Sequence, residues 1–249
     1  MEDTEICDLE DETKSDSESD VAVAKTLEEN GACLWSWDPN SLTANAQLVD
    51  GSRRQVLFHP DFSYGTATVR SDFLFRQGIH YWKVMMTTKC YGTDMMIGVC
   101  TRDFEYQHFT KMYKSLLGHD NLSWGLSFTG NIWHDGRVSQ YMDPFSHGDV
   151  IGVRVNMNSG TLEFSKNGQW QGVAYHGLHK QEGLYAIVCS TAAKTGMRLL
   201  SNSSSFSSLQ AICSFTIARN LTSTDDVRSL PLPRQLQVMV SDYGGYRTA

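Results

Sequence analysis

From Gly31 onward the chain alternates between short apolar runs and polar punctuation. Ile79–Met86 (IHYWKVMM), Met95–Cys100 (MMIGVC), Ser123–Phe128 (SWGLSF), Val150–Asn156 (VIGVRVN), Thr161–Ser165 (TLEFS) and Leu184–Cys189 (LYAIVC) have the length and the β-branched or aromatic content of strands. Within Val150–Asn156, the side chains of Ile151, Val153 and Val155 fall on alternate positions and share one face, as a half-buried strand requires. Asn158-Ser-Gly160 and Asn167-Gly168 separate strand runs, and Thr129-Gly130-Asn131 and Asp135-Gly136 punctuate the preceding segment. Asn-Gly and Asp-Gly supply the positive φ values of tight hairpins. No helical periodicity of useful length occurs between Gly31 and Leu200. Closely spaced strands without intervening helices predict an all-β sandwich or barrel.

The pattern switches after Ser201. Ser203–Ser208 reads as a short polar joint. Leu209, Ile212, Cys213 and Ile217 then recur at helical spacing, with Ser207 or Ser208 placed to cap the helix. Nothing in the strand-rich body obviously covers this apolar face. Beyond it, Val227-Arg-Ser-Leu-Pro-Leu-Pro233 precedes Leu236 and Met239-Val240. The two prolines hold the chain extended ahead of a second helical turn or two.

Charge changes the picture at the N-terminus. The 249 residues carry −7, but residues 1–20 alone hold ten acids and one base. Such a segment self-repels and lacks apolar groups, so disorder is expected there, with 21–30 as a short helix or linker. Ser15 and Ser17 each precede an acid by three residues, the context acid-directed kinases favour. A solvated tail with no switch is the simpler alternative. The rest of the chain is nearly neutral and has no Lys/Arg cluster, which argues against direct nucleic-acid binding and against an anionic lipid surface. The chain starts without a basic segment followed by an apolar one, so no secretory signal is expected. The uncharged stretch 199–218 is half Ser, Thr, Asn or Gln, too polar for a bilayer span. With six scattered cysteines and no CxxC pair, neither a zinc ribbon nor a disulfide framework is expected. An intracellular setting, cytoplasmic or nuclear, follows as the expectation.

Catalytic constellations are lacking. The sequence has no GxSxG, HExxH, phosphate loop or dinucleotide fingerprint, and its histidines have no metal-ligand spacing. No metal, no cofactor and no catalytic residue is expected. His80 reads as a hydrogen-bonded strand residue, His134-Asp135 as part of a turn, and most cysteines as small core residues. Asp94, in Tyr91-Gly-Thr-Asp94, is the acid best placed for a site, because strand-edge loops carry function.

Four phrases then resemble the SPRY domain, a bent antiparallel β-sandwich used for recognition: Gly78-Ile-His-Tyr-Trp-Lys-Val84, Tyr91-Gly-Thr-Asp-Met-Met-Ile-Gly-Val99, Ser123-Trp-Gly-Leu-Ser127 and Phe164-Ser-Lys-Asn-Gly168. Ser208-Leu-Gln-Ala-Ile-Cys213 with Ile217 resembles the elongin-binding box of a SOCS box, and Val227-x-x-Leu-Pro-Leu-Pro233 with Leu236 resembles its cullin-5 box. The order of these modules resembles the SPRY domain-containing SOCS box family. The resemblance implies an acidic tail and linker at 1–30, a SPRY sandwich at 31–202 and a small α-helical SOCS box at 207–249.

It further implies that Ser208, Leu209, Ile212, Cys213 and Ile217 meet elongin C, paired with elongin B. Val227, Leu230, Pro231, Leu232, Pro233 and Leu236 would meet cullin-5, which carries a RING subunit. Family members hold a short Asn-containing peptide in loops at one end of the sandwich. On that pattern Tyr113 and Thr101 are pocket residues, with Tyr64 and Thr191 as candidate amide partners. Thr191-Ala192-Ala193 stands where relatives have Val-Trp-Gly, and their Arg-containing loop is one residue shorter here, at His59–Gly65. The lost Trp and Arg are residue types that dominate binding energies, so a different peptide preference is expected. The implied function is non-catalytic: a substrate receptor of an elongin–cullin RING ubiquitin ligase that presents degron-bearing proteins for ubiquitination and proteasomal degradation. The alternatives are a SPRY adaptor that does not lead to degradation and, more distantly, a carbohydrate-binding sandwich.

Overall fold

The computed structural model describes residues 34–49, 51–206 and 209–244. The acidic segment 1–20, the linker 21–30 and Ser207 and Ser208 lie outside the described residues. Two sheets face each other. One has seven strands in the order β1 (Ala46–Leu48), β2 (Gln55–Phe58), β13 (Thr195–Ser205), β4 (Ile79–Met86), β9 (Val150–Asn156), β10 (Thr161–Lys166) and β11 (Gln169–Tyr175). The other has six, in the order β3 (Ala67–Arg70), β12 (Leu184–Ser190), β5 (Met95–Thr101), β6 (Ser123–Ser127), β7 (Asn131–His134) and β8 (Arg137–Gln140). All neighbouring pairs are antiparallel.

The expected strands form. In β4 every second residue is buried, so His80, Trp82, Val84 and Met86 face the other sheet. β5 instead is buried along its whole length. Met95, Ile97 and Val99 enter the core between the sheets, while Met96 and Cys100 point outward into a second cluster with Ile187 and Cys189 of β12. Residues 102–122, which join β5 to β6, lie over that outer face and contribute Phe104, Tyr106, Leu116 and Leu117. Covering both faces is what makes a continuous apolar run favourable in a strand. At the β10–β11 hairpin, Asn167 and Gly168 have φ of 51° and 86°, the two left-handed residues of a type I′ turn.

β13 corrects one expectation. Residues Ser203–Ser205, read as a joint, are the end of an eleven-residue strand paired with β4. Their inward polar groups have specific partners. Ser204 Oγ bonds His80 Nδ1 at 2.8 Å, and Asn202 Oδ1 accepts from the Leu34 and Trp35 amides at 2.6 and 3.2 Å.

Three helices follow: α1 (Leu209–Arg219), α2 (Thr224–Ser229) and α3 (Arg234–Gly244). α1 packs on α3, and α2 on α3. The α2 helix was not expected. It is short but has a complete capping box, with Ser223 Oγ accepting from the Asp226 amide at 3.1 Å and the Asp226 carboxylate accepting from the Ser223 amide at 2.9 Å. α3, at eleven residues, exceeds the expected turn or two.

Candidate partner-binding sites

Four loops meet at the end of the sandwich where β13 begins. Lys194, between β12 and β13, donates its amide to the His59 carbonyl at 2.8 Å, joining the β2–β3 loop to the β12–β13 loop. Thr191 and Asp94 are stitched together at 3.0–3.1 Å through the Asp94 and Thr191 amides and Thr191 Oγ1, joining the β4–β5 loop. Thr66 Oγ1 donates to the Met112 carbonyl and Tyr113 Oη to the Ser63 carbonyl, both at 2.6 Å, which brings in the 102–122 segment. Tyr91 Oη donates to the Ala193 carbonyl.

This frame supports an exposed apolar rim. Phe62 is 72% exposed and Tyr113 51%, with Tyr64, Tyr91 and Met112 about half exposed. Tyr113, Tyr64 and Ala193, three of the expected pocket residues, are brought together here. Thr191 and Ala192 are buried beneath the rim, and the Thr191 hydroxyl is already engaged with Asp94. They lie beneath the rim and not on its exposed surface, which differs from the expectation.

Thr101 is a second correction. It closes the opposite end of β5, paired with Leu184, whereas Met95 at the rim end pairs with Ser190. Seven residues of strand put it roughly 20 Å from the rim. An exposed threonine on the rim loops is Thr93, between Tyr91 and Asp94. Phe62, Tyr91, Met112 and Thr93 were not singled out from the sequence. The available signal was the density of aromatic and thioether side chains in segments too rich in Gly, Pro, Ser and Asp to be strands.

Asp94 is structural. Its side chain is buried, accepts from Ser127 Oγ at 2.7 Å, and desolvation pushes its carboxyl above the usual range, opposed by hydrogen bonds from Ser115 and Ser127. His80 is likewise internal, bonded to Ser204 and to the Gln77 carbonyl, stacked on Phe75, and pushed down to about 4 by burial. His134 stacks on Trp124 and bonds the Ser123 carbonyl. Burial pushes the Cys90 thiol up to about 11 and Cys100 to about 12, and raises Cys189 as well. Those thiols stay protonated at neutral pH and are poor nucleophiles. Among the described residues, no group of His, Cys, Asp or Glu is arranged to hold a metal, and no helix is long and apolar enough to cross a membrane.

The second site is α1. One side buries Ser214, Phe215 and Ala218, and Phe215 packs edge-on against Phe73 of the sandwich and tilted against Phe206, at 5.4 and 5.0 Å. At about 100° per residue, the opposite side carries Leu209, Ile212, Cys213 and Thr216. Leu209 is 75% exposed, Ile212 44%, and Cys213 is exposed. Cys213 is therefore an exception to the cysteines' core role. Ile217 lies on the flank, half-buried against the core, and Ser208 lies outside the described residues.

In the Leu-Pro segment, Pro231 and Pro233 are exposed, while Leu230, Leu232 and Leu236 are half-buried. Gln237 Nε2 bonds the Leu230 carbonyl at 3.0 Å, fixing the extended segment to α3. Val227 is buried, at 2% exposed, so it supports this segment from within and presents no surface of its own, a third correction.

A family model described as the SPRY domain matches residues 79–203. The fold is similar to the SPRY domain of human HERC1 (TM-score 0.56, 17% identity, covering 67% of this chain and 98% of that one). It is also similar to the TRIM65 PSpry domain (TM-score 0.55, 21% identity, 71% and 94%). In sequence the chain is 37% identical over 220 residues to "SPRY domain-containing SOCS box protein 3" of Xenopus laevis, covering 88% of this chain and 61% of that protein. The chain thus spans about three-fifths of that relative's length. On the SPRY match, the two-sheet sandwich, the C-terminal helices and this identity, the chain belongs to the SPRY domain-containing SOCS box family.

Proposed function

We propose that this chain is the substrate receptor of an elongin B/C–cullin-5 RING ubiquitin ligase. The observation that carries the reading is the two-sidedness of α1. A helix that folded back only to complete the core would bury its large apolar groups, yet Leu209 and Ile212 face outward while Phe215 anchors the other side. An amphipathic face held out by a fixed scaffold is the form that docks into a hydrophobic groove. Leu209 is the anchor for elongin C, and Cys213 is small enough to allow close approach. The Leu230-Pro-Leu-Pro233 segment, pinned by Gln237, faces the cullin.

At the other end, the rim around Tyr113, Tyr64 and Phe62 takes a short, Asn-containing degron peptide. The chain itself performs no chemistry. It raises the effective concentration of a substrate lysine near the charged ubiquitin carrier. The test is co-expression with elongins B and C. Leu209→Ala and Cys213→Asp each lose elongin co-purification while the sandwich keeps its melting transition. Undiminished co-purification with both variants refutes the assignment.

A further inference from the structure

The apolar rim depends on how the β2–β3 loop is held. His59 opens this loop with φ of +49°, a conformation disfavoured for any residue with a β-carbon. It is 1% exposed. Four hydrogen bonds fix it: its amide donates to the Asn45 carbonyl at 2.7 Å, its carbonyl accepts from Lys194 at 2.8 Å, and both ring nitrogens are engaged. The Tyr64 amide lies 3.2 Å from Nδ1, and the Ser190 carbonyl 3.1 Å from Nε2. An amide can only donate and a carbonyl can only accept, so the ring is the neutral tautomer with its proton on Nε2. Burial lowers the imidazole's affinity for a second proton, in keeping with that state.

Tyr64 is gripped from the other side as well, because Asn45 Nδ2 donates to its carbonyl at 2.8 Å. The next residue, Gly65, has φ of +68°, and a β-carbon there would lie 2.0 Å from the Thr110 carbonyl oxygen, so the loop's exit is also fixed. Between these clamps Phe62 and Tyr64 project into solvent.

We infer that His59, with Asn45, positions the peptide-binding rim: the two side chains clasp the amide and carbonyl of Tyr64 and so preset the loop tip that meets a degron. This rests on the reading of the rim as a peptide site. Neither residue is a contact residue. Their effect on affinity comes from not having to order the loop upon binding.

The probe is a fluorescent peptide selected from a random phage-displayed library on the wild-type full chain and retained for dependence on Tyr113. His59→Phe, which keeps the ring but loses both ring bonds, weakens this peptide by about tenfold. His59→Gln, whose amide has one donor and one acceptor, recovers most of the affinity. Asn45→Ala removes only the tether on the Tyr64 carbonyl, keeps the melting transition, and weakens the peptide about threefold to fivefold. Unchanged affinity in Asn45→Ala and His59→Phe, with Tyr113 dependence retained, overturns the positioning role. So does a His59→Gln variant as weak as His59→Phe. Failure to select any Tyr113-dependent peptide overturns the peptide-site reading and the clasp with it.

Discussion

Substitutions on the two faces of α1 should separate folding from docking. Phe215 is 7% exposed and packs edge-on against Phe73 and tilted against Phe206. Truncating a buried phenylalanine to alanine costs roughly 3–5 kcal/mol, of which each aromatic pair contributes ~0.5–1.5 kcal/mol. Because Phe215 joins the C-terminal helices to the sandwich, the loss should be local. Phe215→Ala is expected to strip hydrogen-exchange protection from α1 amides while β4, β5 and β12 remain protected. Leu209, at 75% exposed, has little packing to lose, so Leu209→Ala should shift denaturant stability by no more than ~0.5 kcal/mol. Its effect should appear only in elongin capture. The assay is a denaturant titration with residue-resolved exchange, alongside co-purification with elongins B and C. Equal destabilisation by both substitutions, or full elongin capture by Leu209→Ala, would refute the two-faced assignment.

The buried His80 links stability to pH. Its pKa falls from 6.5 to about 4 on folding, so the unfolded chain binds more protons between those values. Stability is therefore complete above pH 6.5 and declines as pH falls toward 4, by on the order of 3 kcal/mol from this group. Urea titrations of wild type and His80→Asn check it, and an equally steep acid loss in both excludes His80 as the source. Thr101→Ser should leave peptide affinity unchanged in a binding titration, since its strand end is remote from the rim; a tenfold loss would restore Thr101 to the pocket. A Gly-Ser insertion between Phe206 and Leu209 should preserve both peptide and elongin binding yet slow ubiquitin transfer in a reconstituted reaction, and unchanged transfer would show that the sandwich–helix geometry is irrelevant.

The core strands were legible because their burial is periodic or continuous: β4 alternates, β5 is buried along its whole length, and β12 is buried at all but one position. β13 was misread because its inward polar groups are satisfied by partners far away in sequence, Ser204 by His80 and Asn202 by the backbone of Leu34 and Trp35. Hydroxyls with buried partners look like a linker in one dimension. The β11 edge strand is exposed over most of its length, so no pattern marks it. Of the pocket residues named from the sequence, Tyr113 and Tyr64 lie exposed on the rim, but Thr101 was placed by spacing along the chain. Spacing does not tell which end of β5 a threonine occupies, and the pairing of Met95 with Ser190 and Thr101 with Leu184 does. In α1, the apolar set Leu209, Ile212 and Cys213 was legible. That Phe215 holds the opposite side could not be read, since both faces are apolar and periodicity alone ranks neither.

The position of these two sites within the sandwich has a mechanical consequence. β13 starts at the rim with Thr195, directly after Lys194, and ends at Ser205, with three residues between it and the start of α1 at Leu209. Eleven residues of strand span roughly 30 Å, so the apolar rim and α1 lie at opposite ends of one element. β13 is central, hydrogen-bonded to β2 on one side and β4 on the other. Phe206 then packs tilted against Phe215 and edge-on against His80, so the chain leaves the sheet under side-chain restraint. On the proposed receptor role, such an arrangement needs no change of shape to couple its ends. If the proposed function holds, a segment bound at the rim would sit at a set distance from α1, and the acceptors served would be those whose lysines lie at that reach.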